Sequence, residues 1–376
     1  MSEPDNSTPN VHTEGKKKLT NNEISEEELY TTYTEDLWLD RVARVFGFGR
    51  LATFLPGQIP PSYLYAGTTI FIIDVVLNFR AYLVGEYVVY LENPFFIFQP
   101  LALLTAVYGA QTLRTRYHQV MHEMDISSRA SDPNRLLNIV PSWLPWTFFI
   151  FLIGINFIRI ASFGGPAALY QNRGLSELIG WLVANPIWAT IASQFLAVYL
   201  SIVLLAPWRI WRSDIGIDFL DPEGLGGLRP IGELIKHAYY YQVAGLIAFA
   251  FVLYTPGISA IEVERTAATN VFFTIAWVSA VATIAAGVFM LHRFMHQEKR
   301  HEILRLKKIK QQHIDDRWDI AKYTVADNKD DLITEVDERM ELVSSTNEYP
   351  ATFSIWSQLL ISIVLPKAVQ LFIGGI

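Results

Sequence analysis

Long apolar segments recur along this chain and alternate with polar loops. Each is close to about 20 residues, which is enough to cross a hydrocarbon core of about 30 Å as an α-helix rising 1.5 Å per residue. Six segments follow one another and a seventh comes after a polar gap, at 61–84, 95–114, 143–163, 187–208, 237–256, 270–292 and 351–374. The pattern predicts an all-α, polytopic membrane protein with seven transmembrane helices: six in residues 61–292 and one in residues 350–376.

Two polar regions precede the first segment. Residues 1–30 have no apolar stretch typical of a secretory signal and too few apolar residues for a core, so we expect a disordered cytoplasmic tail. In residues 35–54 apolar side chains recur at helical spacing, with Asp40, Arg41 and Arg44 on the other side. This predicts an amphipathic helix that lies in the membrane interface or packs against cytoplasmic loops.

The charged region 293–349 carries two apolar stripes with helical spacing, broken near residues 326–330. Since no Pro or Gly lies between Leu291 and Lys322, the first helix is predicted to continue the sixth span into the cytoplasm. A narrow apolar stripe needs a partner, either another subunit or the cytoplasmic ends of the same chain. The stripes are Ile303, Leu306, Ile309, Ile314, Trp318 and Ala321, then Leu332, Val336, Met340 and Val343.

The loops alternate in basic content. Arg and Lys are concentrated in loops 115–142 and 209–236 and after residue 292, whereas loop 85–94 has none and loops 164–186 and 257–269 have one each. Because basic loops stay on the cytoplasmic side, we expect a cytoplasmic N-terminus and an extracellular C-terminus in the cell membrane.

Composition narrows the possible functions. The chain has 376 residues, of which 51% are hydrophobic and only 18% charged, with a mean hydropathy of +0.24. These values disfavour a soluble enzyme and make the lipid bilayer the first expected partner. The net charge of −7, with basic residues confined to certain loops, disfavours binding of nucleic acid. The absence of cysteine excludes disulfides, thiolate nucleophiles and Cys-ligated zinc or iron–sulfur centres.

Two charges fall inside predicted spans: Asp74 in the first and Arg159 in the third, with Asn78 and Asn156 nearby on the same helices. A charge in the membrane costs about 2.5–3.5 kcal/mol on insertion scales, so it usually faces a partner or a water-filled cavity. We expect Asp74 to pair with Arg159. The four residues would form either a structural ion pair or the lining of a ligand pocket or ion path.

Histidines form two i,i+4 pairs, His118/His122 and His292/His296. The spacing resembles the H-x-x-x-H boxes of membrane desaturases and hydroxylases, which hold two iron ions. Those enzymes also need adjacent His pairs, and this chain has none. We therefore predict no metal site and no cofactor, and interpret the histidines as interfacial residues at helix ends.

The loop from Asp214 to Pro230 is rich in carboxylates and glycine, but it lacks the ligand spacing of an EF-hand and the context of a phosphate-binding loop. It looks like a D/H-P-x-x-x-G-G-L loop of uncharacterised prokaryotic membrane proteins, a likeness that implies shared fold more than activity. We expect a turn before the fifth span.

The last segment has a polar stripe at four-residue spacing, formed by Ser354, Gln358 and Ser362. A polar stripe in a membrane helix must meet protein or water. It is either buried against neighbouring helices or lines the pore of a symmetric oligomer, with Ile361 and Leu365 forming an apolar gate and Lys367 and Gln370 lying toward the outer mouth.

This organisation resembles the insect odorant and gustatory receptor-like seven-transmembrane ion channels, over residues 35–376 and in topology only. The resemblance implies a tetramer held by a cytoplasmic anchor at 293–349, a pore lined by the last helix and a ligand pocket in the outer part of spans one to four. The leading hypothesis is a homo-oligomeric ion channel gated by a small ligand. The alternatives are a membrane transporter or sensory protein, and a membrane enzyme with a metal bound by histidine.

Overall fold

The computed structural model describes residues 36–56, 59–254, 267–312, 314–315, 324–325 and 330–349, and the helix 353–374. The predicted tail 1–30 lies outside these residues. The helices are α1 (Trp38–Val45), α2 (Phe48–Phe54), α3 (Pro61–Val84), α4 (Val89–Glu92), α5 (Pro94–Glu123), α6 (Ile126–Arg129), α7 (Pro133–Leu137), α8 (Trp143–Ser162), α9 (Pro166–Trp211), α10 (Arg229–Leu253), α11 (Ala267–Gln311), α12 (Asp330–Ser345) and α13 (Phe353–Gly374). Two short strands, β1 (Ile314–Asp315) and β2 (Thr324–Val325), pair antiparallel.

Five helices are long and apolar enough to cross a membrane: α3, α5, α8, α9 and α11. These helices confirm the prediction of an all-helical, multi-pass membrane protein, but not the predicted number of seven spans. The predicted fifth and seventh spans lie on α10 and α13, which do not reach the same combination of length and apolarity in the described residues. In α10 the reason is visible, because its first turns carry Arg229, Glu233 and Lys236.

Helix α9 is the centre of the bundle. It packs between α8 and α5, and residues around its whole circumference are buried, including Ser193, Gln194, Ala197 and Val198. Its first turns occupy the segment 164–186, which was predicted to be a loop. Pro166 begins this segment, and Gly174, at φ +87° and ψ −178°, is a non-helical kink between two helical parts.

The region 35–54 contains two short helices where one was predicted. Gly47, at φ +87°, separates α1 from α2. The amphipathic pattern is only partly confirmed, because Trp38 is buried as expected but Asp40 is buried too. Val45 and Phe46 are exposed on the outside of the fold.

The charged region after the apolar part of α11 forms a helical hairpin. Helix α11 ends at Gln311 and does not reach residue 322 as predicted; the chain reverses through β1 and β2, and α12 returns along α11. Most of the predicted helical positions of the two apolar stripes pack against each other, together with Phe219 from the loop before α10. Leu332 is exposed and Ile314 lies on β1, whereas Trp318 and Ala321 lie outside the described residues. The packed positions of the two stripes therefore find their partner within one chain. The core of this hairpin consists of Ile303, Leu306, Ile309, Val336, Met340 and Val343.

Three basic segments meet at one end of the bundle. Arg129 donates to the carbonyl of Gly216, and Ser131 N donates to Asp214 at 3.2 Å. Hydrogen bonds from Ser131, first from its side chain and then from its backbone N–H, lower the pKa of Asp214. Arg209 donates to the carbonyl of Asn138. We call this the basic end, defined by residues 124–142, 209–228 and 292–299.

Candidate functional site: polar clusters along the spans

Asp74 lies in a π-helical turn, Phe71–Leu77, within α3. Its Oδ1 accepts a hydrogen bond of 2.6 Å from the hydroxyl of Tyr90 in α4. Its Oδ2 is buried and has no hydrogen-bond partner in the described part of the chain. Asn78 Nδ2 donates to the carbonyls of Ile73 and Asp74, each at 3.2 Å, and so satisfies backbone groups of the widened turn.

Asn156 and Arg159 both contact a second π-helical turn, Gly180–Ala184 in α9. The amide nitrogen of Asn156 donates to the carbonyl of Trp181 at 2.9 Å, and its oxygen accepts from Asn185 at 2.9 Å. The guanidinium of Arg159 lies 4.7 Å from the centre of the Trp181 ring, a cation–π contact. Both residues thus hold α8 against α9.

The structure does not form the predicted ion pair between Asp74 and Arg159. The two residues are held by different partners, Tyr90 and Trp181, and no Asp74–Arg159 contact within 4.0 Å occurs. The predicted set therefore divides into two pairs, Asp74 with Asn78 and Asn156 with Arg159. A shared ligand pocket lined by all four residues stays a prediction.

A different network links α3 to α9, and the sequence pattern did not single it out. Arg80 contacts Glu86 at 3.0 Å and the hydroxyl of Ser176 at 2.6 Å, while Ser176 N donates to Glu86 at 3.0 Å. Hydrogen bonds from the side chain and backbone of Ser176, followed by Arg80, lower the pKa of Glu86 to about 2. A Cβ at Gly174 would lie 2.8 Å from the Glu86 carboxyl carbon. In the sequence, the feature that could have pointed to this network is Gly174, two residues before Ser176.

Arg173 of α9, like Arg159 of α8, lies over aromatic rings. Its guanidinium is 4.6 Å from the centre of the Tyr87 ring and 5.6 Å from that of Phe163, and it contacts Glu177 at 3.6 Å. Glu177 also accepts a hydrogen bond of 2.8 Å from the indole of Trp181. This end of the bundle, opposite the basic end, is thus built from arginines over aromatic rings and neutralised by carboxylates.

The last helix, α13, contacts its own chain along one face. Ile363 O accepts from the indole of Trp277 at 2.8 Å, Lys367 contacts Thr274 at 3.4 Å, and Gln370 donates to the Tyr254 hydroxyl at 2.9 Å. Lys367 and Gln370 therefore contact residues of their own chain, and their place at the outer mouth of a pore stays a prediction.

Of the predicted pore residues, Ile361 and Leu365 are exposed, at 67% and 43% of their full surface. The side chains of Ser354, Gln358 and Ser362 lie outside the described residues. The polar stripe that motivated the pore assignment therefore stays a prediction.

The paired histidines of α11, His292 and His296, contact the residues that follow α12. His292 Nδ1 lies 2.9 Å from the carbonyl of Glu348, His296 Nδ1 lies 3.0 Å from the Glu348 carboxylate, and the ring of Tyr349 stacks on His292 at 4.2 Å. Among the described residues no group of three or more His, Asp and Glu is placed to hold a metal.

The loop between α9 and α10 is a turn organised by one carboxylate. Asp221 accepts hydrogen bonds from the backbone N–H groups of Glu223, Leu225 and Gly227. Gly224 and Gly227 adopt positive φ. The predicted turn is therefore present, and Asp221 holds it by side-chain hydrogen bonds to the backbone.

Comparison of the chain with protein-family models, curated proteins and solved structures gives no match.

Proposed function

We propose that this protein crosses the cell membrane seven times, with its basic end in the cytoplasm and its C-terminus outside, and that copies of it assemble around α13 to form an ion channel. The observation that carries the proposal is the one-sided packing of α13. Its inner face is held by α10 and α11, while Ile361 and Leu365 point away from the chain.

Helix α10 is the fifth of the seven proposed crossings, and it runs antiparallel to α5 over most of its length. Near the basic end, Leu234 and Val120 line the same cavity. Further along, Tyr241 lies against Gly109, and at the far end Phe251 stacks on Phe98 with ring centres 4.6 Å apart. This packing of α10 along α5 supports the proposal that α10 also crosses the membrane.

Helix α13 crosses the same distance beside α11. Tyr349, just before α13, stacks on His292, whereas Lys367 contacts Thr274. Those α11 residues are about 18 positions apart, which corresponds to about 27 Å of helix and so to nearly the full hydrocarbon core. This separation supports the proposed crossing of the bilayer by α13.

Labelling of introduced cysteines tests the topology, since the natural chain has no cysteine. Under the proposal, cysteines at Arg129 and Arg212 react only after the membrane is made permeable, whereas a cysteine at Ile376 reacts from outside. Labelling of intact cells at position 129 or 212, or protection at 376, contradicts the seven-span arrangement.

In the proposed assembly Ile361 and Leu365 close the pore, because a ring of apolar side chains excludes water and ions. The tetrameric state and gating by a small ligand come from the resemblance to the insect receptors. The Leu365→Ser variant should raise resting current in a planar bilayer relative to the natural protein. A stable monomer in lipid, or equal currents in the two proteins, removes the channel assignment.

One observation favours a second candidate. The stripes of α11 and α12 cover each other within one chain, so the cytoplasmic hairpin needs no second subunit. A monomeric transporter or sensory membrane protein would show this arrangement as well. The mass of the protein in lipid nanodiscs separates the two candidates, because a channel built on α13 requires several copies.

A further inference from the structure

A cleft of about 790 Å³ opens between α1, α2, the start of α3 and α5. Its walls are partly polar and partly apolar, and four charged side chains lie in it: Asp36, Asp40, Arg44 and Arg114. The apolar part is formed by Ala52, Leu55, Ile59, Pro60 and Pro61.

Three of the four charges already have partners. Asp40 is buried, and its two oxygens accept hydrogen bonds from Ser62 N at 3.1 Å and Gln111 Nε2 at 2.9 Å. Asp36 forms an ion pair with Arg44. Arg114 is half-buried, and among the residues that the structure describes it has no hydrogen bond and no ion pair within 4.0 Å, although the nearby carboxylates of Asp40 and Asp36 attract its charge. A half-buried guanidinium retains five N–H donors that favour a bidentate anion.

The cleft lies where the membrane surface is expected. Arg114 follows Pro94, the start of α5, by about 20 residues, or about 30 Å of helix, which is the thickness of the hydrocarbon core. Beside the cleft, α1 and α2 expose apolar side chains outward, with Val45 at 85% and Phe54 at 84% of their full surface. Exposed aromatic and aliphatic side chains next to arginine are typical of helices that lie in the lipid interface.

We propose that this cleft binds one phospholipid, with the phosphate held by Arg114 and an acyl chain against Leu55 and Ile59. Arg114 supplies the paired N–H donors that suit a phosphate, and the apolar walls accept a hydrocarbon chain. The bound lipid ties α1 and α2 to the bilayer. This site is separate from α13 and does not depend on the proposed pore.

Native mass spectrometry of the delipidated protein tests the site. The ligands are dioleoyl phosphatidylglycerol, dioleoyl glycerol, which has the same chains without phosphate, and inorganic phosphate. The matched control for Arg114→Gln is Arg116→Gln, which removes an exposed arginine of α5 outside the cleft. We expect the phospholipid to bind Arg114→Gln at least about tenfold more weakly, the factor for losing one charge-assisted hydrogen bond, and to bind Arg116→Gln like the natural protein.

The other two ligands, dioleoyl glycerol and inorganic phosphate, show whether the site binds a phospholipid or a soluble anion. Dioleoyl glycerol should bind weakly and equally to all variants, and inorganic phosphate should not compete with the phospholipid. Competition by inorganic phosphate at similar concentration would assign the site to a soluble anion and overturn the lipid. Equal phospholipid binding by Arg114→Gln and Arg116→Gln overturns the role of Arg114.

A second variant keeps the test informative if Arg114→Gln does not fold. Ala52→Phe fills the cleft from α2 and leaves Arg114 unchanged. It should reduce phospholipid binding to the level of a surface annulus. Unchanged binding by Ala52→Phe overturns the cleft as the binding site.

Discussion

Gly287 of α11 lies directly against the main-chain carbonyl of Val203 in α9. A Cβ at position 287 would be 2.0 Å from that carbonyl oxygen. Val203 belongs to the π-helical segment Ser201–Leu205, whose irregular backbone approaches α11 at this point. Small residues allow membrane helices to approach this closely, and the gain comes from van der Waals packing of the two backbones.

Substitution of Gly287 by Ala should separate α9 from α11. The added methyl group cannot fit beside a backbone atom, so we expect a loss of about 1–3 kcal/mol in the free energy of unfolding, as for other overpacked sites. The control is Gly154→Ala in α8, where a Cβ would meet nothing within 4 Å. Thermal unfolding in detergent should show a lower melting temperature for Gly287→Ala only. Equal melting temperatures would show that the two helices are not in contact there.

The network of Glu86 predicts a dependence of stability on pH. Because folding lowers the pKa of Glu86 from 4.5 to about 2, its ionised form stabilises the fold above pH 4.5, and this contribution is lost as the pH falls toward 2. The Glu86→Gln variant should melt below the natural protein at pH 6, and the difference should shrink between pH 4.5 and pH 3.

The control for this experiment is Glu338→Gln, an exposed position on α12. Its difference from the natural protein should stay small throughout the same range. A difference for Glu86→Gln that is constant from pH 6 to pH 3 would contradict the hydrogen bonding of Glu86 to Ser176 and Arg80.

Asp74 should be coupled to Tyr90 and independent of Arg159. The hydrogen bond of 2.6 Å between Asp74 and Tyr90 predicts that the effects of Asp74→Asn and Tyr90→Phe on stability are not additive, by about 1 kcal/mol. The matched cycle of Asp74→Asn with Arg159→Gln should be additive within about 0.5 kcal/mol. Strong coupling in the second cycle would show that Asp74 and Arg159 interact directly, contrary to the structure.

The hairpin of α11 and α12 should open when its core is truncated. Leu306 is 4% exposed, whereas Leu304 on the same helix is 54% exposed. Leu306→Ala should cost about 2–5 kcal/mol in local stability, whereas Leu304→Ala should cost little. Hydrogen exchange of the α12 amides reports the difference, since these amides are protected by packing on α11. Unchanged exchange in Leu306→Ala would mean that the hairpin is held from outside the chain.

The sequence by itself located most of the helices. The five long apolar helices begin and end close to the predicted segments, except that α5 and α11 extend beyond them and α9 begins earlier. Hydrophobicity over about 20 residues is a local property of the chain, so no knowledge of neighbours was needed. For the same reason the stripe with Leu306 on α11 and the stripe with Val336 and Val343 on α12 could be recognised before it was known that they pack against each other.

The partners of polar residues were decided by the tertiary structure alone. Asp74, in a π-helical turn of α3, pairs with Tyr90, and Arg159 of α8 lies over Trp181, in a π-helical turn of α9. Asp40 is buried, and its carboxylate accepts hydrogen bonds from Ser62 and Gln111. Such contacts join residues far apart in the chain, and their geometry depends on how whole helices are rotated against each other, which no local pattern specifies.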